Sequence, residues 1–308
     1  MKKAIAMMLS MLMTVSLFAG CASKEAEQPA PVPAEEQTTD ATPAETPDAE
    51  PADTPAEPAE AAEPVELIVF AAASMQETME EIADLYTQEH PEVTITYNFD
   101  SSGTLKKQIQ EGADCDLFIS ASPKQMNALD AAADSEKNPD GLDFVLSDTR
   151  LNLLENKVVL AIPEGNPANL EGFDDLAARL KDGEVLLAMG NSDVPVGQYT
   201  QKIFKFYELD EEAMAQAGKL TYCSNVKEVT SQVTEAAVDC GVIYATDAFS
   251  AGLETVDTAT AEMCGQAIYP AAVLNVSKNP EAAQAFLDFL QTEPAAAIFE
   301  KVGFSPLA

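Results

Sequence analysis

The sequence has 308 residues, which is long enough for a targeting segment followed by a globule of two lobes. Its 52 acidic and 17 basic residues give a formal net charge of -35, and this balance argues against nucleic acid and against an anionic membrane surface as partners. Because His90 is the only histidine, catalysis that needs two histidines and histidine-rich metal sites are excluded.

The N-terminus has the pattern of a secretory signal peptide. Two lysines precede an apolar run at 4–18, which is too short for a comfortable membrane span. The run ends in LFAGC at 17–21, which resembles the bacterial lipobox, although Phe18 replaces the usual leucine. We therefore predict a lipoprotein signal peptide at 1–21 and acyl chains on Cys21 that anchor the protein to the cell membrane, outside the cytoplasm. The alternative is an ordinary signal peptide followed by a chance cysteine.

Residues 22–64 have a different composition from the rest of the chain. They contain nine prolines, twelve acidic residues, one basic residue and no aromatic residue. Such a segment cannot bury enough apolar area to offset the entropy of ordering it, so we predict a disordered, extended linker. The remaining globule, residues 65–308, still has 40 acidic and 14 basic residues and a net charge of -26.

The first part of the globule alternates apolar runs with amphipathic segments. Runs at 67–71, 93–97 and 116–119 predict three strands. Helices are expected between them, one from Ser74 to the residues before Pro91 and one capped by the serines at 101 and 102. This βαβαβ order predicts a parallel sheet.

The second part of the globule repeats this alternation. A strand at 157–162 is expected to cross into a second lobe, and 271–274 is expected to cross back. Between them we predict strands and helices in turn, and two helices close the chain, at 280–290 and 295–301. The predicted domains are lobe 1, residues 65–154 plus 267–308, and lobe 2, residues 155–266. Ligands bind in clefts at the carboxyl ends of such strands.

Four strand-to-helix junctions carry small or β-branched residues where a helix begins, and they contain Ser74, Ser102, Val196 and Val226. Unpaired backbone N–H groups at helix starts attract anions. No basic residue stands at the first three junctions, and Lys227 follows the fourth. An anion site of dipoles and hydroxyls suits an acidic protein, because it needs no cationic side chain. The alternative is that these residues are ordinary helix caps.

Six blocks in chain order resemble the molybdate-binding proteins of ABC importers. They are FAAAS at 70–74, FDSSGTL at 99–105 together with DLFISA at 116–121, VPVGQY at 194–199, GVIY at 241–244 followed by DA at 247–248, YPAAV at 269–273, and IF at 298–299 with GF at 303–304. The resemblance spans nearly all of residues 65–308. It implies an α/β, two-lobed periplasmic-binding-protein-like fold of type II, with a hinge and an interlobe cleft. It also implies a monomeric binding protein, not an enzyme, that holds molybdate or tungstate for an importer's permease and ATPase.

By the same resemblance, Ser74 and Ser102 would each offer a hydroxyl and a backbone N–H to the oxyanion. Val196 and Val226 would offer backbone N–H groups, and Tyr244 its phenol. No catalytic residue, cofactor or bare metal cation is implied. Gly103 stands where the family commonly has a third serine, and Val196 where it commonly has alanine.

Other functions remain open at this point. The same fold could bind another oxyanion such as sulfate. A hydrolase using Ser74 is disfavoured because the sequence lacks a Gly-x-Ser-x-Gly elbow and a histidine partner. A sensor or adhesion lipoprotein is a further class. The cysteines in the globule could form two disulfides or stay as free thiols: Cys115, Cys223, Cys240 and Cys264.

Overall fold

The computed structural model describes residues 63–308. The predictions of a signal peptide, of acylation at Cys21 and of nearly all of the linker fall on residues outside this range. None of the helices within 63–308 combines the length and the apolar character that crossing a membrane requires.

Strands and helices alternate along the described chain. The first half contains β1 (Val65–Ala72), α1 (Gln76–Glu89), β2 (Val93–Asp100), α2 (Ser102–Gln110), β3 (Leu117–Ile119), α3 (Pro123–Asn127), β4 (Leu151–Asn156), β5 (Val158–Ile162), α4 (Phe173–Lys181) and β6 (Leu187–Gly190). The second half contains α5 (Pro195–Phe206), α6 (Glu211–Gln216), β7 (Leu220–Cys223), α7 (Val226–Thr234), β8 (Cys240–Tyr244), α8 (Ala245–Ala251), β9 (Glu254–Thr258), α9 (Ala261–Cys264), β10 (Ala267–Val273), α10 (Pro280–Phe289), α11 (Glu293–Val302) and β11 (Ser305–Pro306).

The first sheet has the strand order β11-β4-β10-β3-β1-β2. Its β1, β2 and β3 pair in parallel, as the βαβαβ order of the sequence predicts, whereas β10 pairs antiparallel with both β3 and β4. Strand β1 is apolar because both of its faces are covered. Val69 packs in the large core with Met79 of α1, and Phe70 packs in a smaller core with Leu105 of α2.

The second sheet has the strand order β7-β6-β8-β5-β9. Its β6 pairs in parallel with β7 and β8, and β5 pairs antiparallel with β8 and β9. Helices α5 and α7 follow β6 and β7, so both helices begin at the carboxyl ends of neighbouring parallel strands. The sheet is therefore mixed, with its parallel strands next to the ligand-binding junctions that the sequence predicts.

The chain passes between the two sheets twice. Strand β4 ends in the first sheet at Asn156 and β5 begins in the second sheet at Val158, so Lys157 alone joins them. The chain returns between β9 and β10, close to the lobe boundary predicted at 266 and 267. Strand β4 extends two residues past the other predicted boundary, at 154. The assignment of the two sheets to two lobes stays a prediction.

The cysteines within residues 63–308 are free and buried, so the structure favours thiols over the two disulfides that the sequence left open. Burial raises the pKa of each thiol, and it raises the pKa of Cys223 to about 11. Buried thiols with a raised pKa are poor nucleophiles, because little thiolate forms near neutral pH.

We expect these four thiols to react with a maleimide in the native protein at pH 7 much more slowly than in guanidinium chloride. Mass spectrometry of a Cys21→Ser chain, labelled with and without denaturant and never reduced, would measure this. Four labels on the unfolded chain are expected. Two or no labels on the unfolded, unreduced chain would instead indicate disulfides.

Candidate functional site

A small cavity lies where the helix starts of the first sheet meet those of the second sheet. The space between its wall atoms, including the part that is open to solvent, is about 200 Å³. The wall includes all five residues that the sequence predicts as ligands: Ser74, Ser102, Val196, Val226 and Tyr244. The structure thus brings together residues that are up to 170 positions apart in the chain. Their role as ligands stays a prediction.

The first sheet contributes the two serines. Ser74 lies in a short 3-10 turn that follows β1, and Ser102 is the first residue of α2, which follows β2. In the register of these parallel strands Ala72 pairs with Asp100, so both strands end at the same level. The Ser101 side chain caps α2 by accepting a hydrogen bond from the Thr104 N–H at 3.1 Å. Ser102 therefore does not have to cap its own helix.

The second sheet contributes the two valines. Val196 follows Pro195 in the first turn of α5, and Val226 is the first residue of α7. The Asn225 side chain caps α7 by accepting a hydrogen bond from the Glu228 N–H at 3.0 Å. Because the first N–H groups of a helix have no partner within the helix, these turns present donors at the positive end of a helix dipole.

Tyr244 ends β8 and is only 1% exposed. Its hydroxyl has no hydrogen-bond partner among residues 63–308, although a buried polar group without a partner is costly. Burial raises the pKa of Tyr244, so the phenol keeps its proton near neutral pH. The site therefore contains an unused hydroxyl donor at the end of a strand.

The donor character of the cavity extends to Ser102. The Ala121 N–H donates to Ser102 Oγ at 2.9 Å, so this oxygen acts as an acceptor within the protein and its own proton stays available. Ser74 Oγ lies 2.9 Å from the hydroxyl of Tyr269. No lysine or arginine is among the described residues that line the cavity. One carboxylate, Asp100, does line it, and its Oδ1 accepts the Ser101 N–H at 2.6 Å.

The two sides of the cavity approach each other closely at Gly103. A β-carbon at this position of α2 would collide with the backbone carbonyl of Asp193, which precedes α5. The serine that the family commonly has here would therefore not fit this arrangement. The absence of a side chain at Gly103 is needed for the two sides to meet.

We expect Gly103→Ala to weaken binding of molybdate, the ligand that the sequence predicts, because the added methyl group opposes closure. Overpacking of this kind costs roughly 1–3 kcal/mol, which corresponds to about 5- to 150-fold in affinity. Calorimetric titration would measure the loss. Gly141→Ala is the control, since Gly141 has a positive φ of 62° and no neighbour within 4 Å of an added β-carbon. The control should lose folding stability but not affinity; equal affinities for wild type and Gly103→Ala would contradict the prediction.

A charged cluster lies beside the cavity, and sequence reasoning did not assign it a role. Lys227 of α7 donates to the Glu77 carboxylate of α1 at 2.6 and 2.8 Å, which joins helices of the two sheets. Asp247 of α8 is 1% exposed, and its Oδ1 lies 3.5 Å from Lys227 Nζ. Neither carboxylate oxygen of Asp247 has a hydrogen-bond partner within residues 63–308. Burial raises the pKa of Asp247 to about 7, although Lys227 opposes this shift.

The raised pKa of Asp247 predicts a pH dependence of folding. Between the ordinary pKa of 3.8 and about 7, the folded protein holds a proton that the unfolded chain has released. The stability that this proton provides is complete below pH 3.8 and is lost as the pH rises through 7, and the loss is on the order of 4 kcal/mol. We therefore expect Asp247→Asn to flatten the fall in unfolding free energy between pH 4 and 8.

Urea denaturation of the wild type and of Asp247→Asn at pH 5 and at pH 8 would measure this difference. Asp182→Asn is the control, because Asp182 is exposed at the end of α4. Equal pH dependences for the wild type and Asp247→Asn would show that Asp247 is ionised in the folded protein throughout this range.

The family described as bacterial extracellular solute-binding protein matches residues 67–305 of this chain. A putative ABC transporter substrate-binding lipoprotein, YvgL of Bacillus subtilis, is 33% identical over 243 residues, which cover 78% of this chain and 86% of YvgL. The molybdate-binding protein ModA of Haemophilus influenzae is 30% identical over 241 residues, which cover 77% of this chain and 89% of ModA.

Solved structures give a consistent result. The substrate-binding domain of a putative molybdenum ABC transporter from Clostridium difficile is 32% identical, with a TM-score of 0.57 over 79% of this chain and 100% of that domain. The periplasmic molybdate-binding protein of Azotobacter vinelandii has a TM-score of 0.65 at 20% identity, over 79% of this chain and 100% of that protein. The α/β fold of the periplasmic-binding-protein type that the sequence predicts is thereby confirmed.

Proposed function

Because the chain belongs to the family of bacterial extracellular solute-binding proteins, we propose that it captures molybdate or tungstate outside the cytoplasm and delivers the oxyanion to an ABC importer. Members of this family bind solutes, so the chain is a binding protein and not an enzyme. The proposed ligands of the oxyanion are the hydroxyls of Ser74, Ser102 and Tyr244 and the backbone N–H groups of the helix starts at Val196 and Val226.

The donor character of the cavity carries this proposal. A fully deprotonated tetrahedral oxyanion offers four oxygens that only accept hydrogen bonds, and the predicted ligand groups are donors. Each hydrogen bond to a charged oxygen contributes roughly 1.5–3 kcal/mol, so several of them offset much of the cost of removing a small dianion from water. The donors come from both sheets, which supports capture between two lobes.

The acidity of the protein agrees with this chemistry. A globule with a net charge of -26 does not attract a dianion from a distance, so short-range hydrogen bonds must supply the affinity. The small cavity suits a compact ion better than an organic solute, because pockets for drug-sized ligands have volumes of roughly 300–1,000 Å³. The absence of arginine from the described wall also disfavours carboxylates, which pair well with a guanidinium fork.

The proposed setting follows from the N-terminal sequence and from the relatives. The lipobox-like LFAGC at 17–21 supports acylation of Cys21, and a relative of 33% identity is named a lipoprotein. We propose that the acidic linker at 22–64 tethers the globule to the cell membrane, where it works as a monomer and contacts the importer's permease, which works with an ATPase.

Isothermal titration with molybdate, tungstate, sulfate and hydrogen phosphate would test the proposal. We expect tight one-to-one binding of molybdate or tungstate, and Ser102→Ala and Tyr244→Phe should each weaken it by about 10- to 150-fold through the loss of one donor to a charged oxygen. Tyr222→Phe is the control, because the Tyr222 hydroxyl bonds to Glu211, outside the cavity wall.

Two other titration results would change the proposal. Tight binding of sulfate alone would mean that the chain is a solute-binding protein whose ligand is sulfate and not molybdate or tungstate. If none of the four anions bound tightly, the proposed function would be wrong.

A further inference from the structure

A line of buried hydrogen bonds leads from the crossing between the sheets to the ligand cavity. Asn156 is the last residue of β4, and its Nδ2 lies 3.2 Å from the hydroxyl of Tyr269 on the neighbouring β10. The Tyr269 hydroxyl lies 2.9 Å from Ser74 Oγ. Asn156 is 3% exposed and Tyr269 is completely buried, so water does not compete for these bonds.

The orientation of the Asn156 amide is fixed by its neighbours. The backbone N–H of Lys157 donates to Asn156 Oδ1 at 2.8 Å, and a backbone N–H can only donate. The carbonyl oxygen of the amide therefore faces Lys157, and the amino group faces the other way. There it donates to Thr246 Oγ1 at 2.9 Å and to the Tyr269 hydroxyl oxygen.

This orientation sets the direction of every later bond in the line. An amide amino group has no acceptor, so the Tyr269 oxygen must accept from Asn156. The proton of Tyr269 is then directed to Ser74 Oγ, the other hydrogen-bond partner that Tyr269 has among residues 63–308. Burial raises the pKa of Tyr269, which keeps that proton in place near neutral pH. Ser74 accepts from Tyr269, and its own proton remains for the cavity.

We propose that Asn156 and Tyr269 are positioning residues that hold the Ser74 hydroxyl as a hydrogen-bond donor and so restrict this side of the site to oxygens that carry no proton. The inference rests on the proposed function and deepens it. Ser102 needs no such line, because the Ala121 N–H already fixes its oxygen as an acceptor. Both serine hydroxyls thus act as donors toward the cavity. The backbone N–H of Ala121 fixes this role for Ser102, and Asn156 and Tyr269 fix it for Ser74.

The test uses an isosteric substitution to reverse the donor and acceptor roles along this line of hydrogen bonds. In Asn156→Asp, measured in the full-length protein at pH 9 so that the new carboxyl group is ionised, the group facing Tyr269 becomes an acceptor. The Tyr269 proton then turns away from Ser74, and Ser74 must donate to Tyr269 and present a lone pair to the ligand. We expect molybdate affinity to fall by more than about 100-fold, since one donor is lost and one repulsion is added.

A double-mutant cycle separates this reversal from the added negative charge. Tyr269→Phe breaks the line but leaves Ser74 free to donate, so it alone should cost less than about 10-fold in affinity. The loss of molybdate affinity caused by Asn156→Asp should be at least about 10-fold smaller in the Tyr269→Phe background than in the wild-type background. Equal costs in the two backgrounds would overturn the proposal, because the charge would then explain the whole loss.

Neutron diffraction on the wild-type protein tests the same point without a variant. The deuteron of Tyr269 is expected on the line to Ser74 Oγ, and a deuteron on the line to Asn156 would overturn the proposal. If the proposed function is wrong, the wild-type protein will bind neither molybdate nor tungstate. The position of the Tyr269 deuteron can still be determined in that case, so the two failures are distinguishable.

Discussion

A small dianion loses a large hydration energy when it enters a protein, and this chain has no cationic side chain on the described cavity wall to compensate for that loss. Hydrogen-bond donors must supply the compensation, and they must point at one small volume from several directions. For the proposed oxyanion, the arrangement of the two sheets would satisfy this requirement. Parallel strands end at one level in each sheet, and the helix or 3-10 turn that follows each strand exposes its first N–H groups there.

Each sheet alone would provide only half of such a shell. The serines belong to the first sheet, and the valines and Tyr244 belong to the second. The strands that carry the chain between the sheets are therefore part of the site as well as of the scaffold. Asn156 lies at the end of one of these strands and bonds to Tyr269 in the first sheet and to Thr246 beside the second. One amide group thus ties the crossing point to β10 of the first sheet and to α8, which follows β8 of the second sheet.

Local features of the site could be predicted from the sequence, because helix caps and strand ends depend on residues a few positions apart. The strands β1 to β3 and the helix starts that carry Ser74, Ser102, Val196 and Val226 belong to this group, whereas Tyr244 was implied only by the resemblance to molybdate-binding proteins. Contacts between distant residues could not be predicted, such as the one between Ser74 and Tyr269, which are 195 positions apart. Strand β9 lacks an apolar pattern because most of its residues are exposed at a sheet edge. Helix α4 was not among the predicted elements, although Phe173, Leu176 and Leu180 do follow a helical pattern.

The contact at Gly103 also bears on how this protein diverges from its relatives. The backbone carbonyl of Asp193 occupies the space that a side chain at 103 would need. A relative with serine at the position of Gly103 must therefore hold the segment before α5 at a greater distance, through a different loop conformation or a different degree of closure. The constraint runs in one direction: a side chain at 103 requires the backbone before α5 to move, whereas the contact is made mainly by the backbone of residue 193, which every amino acid there would present.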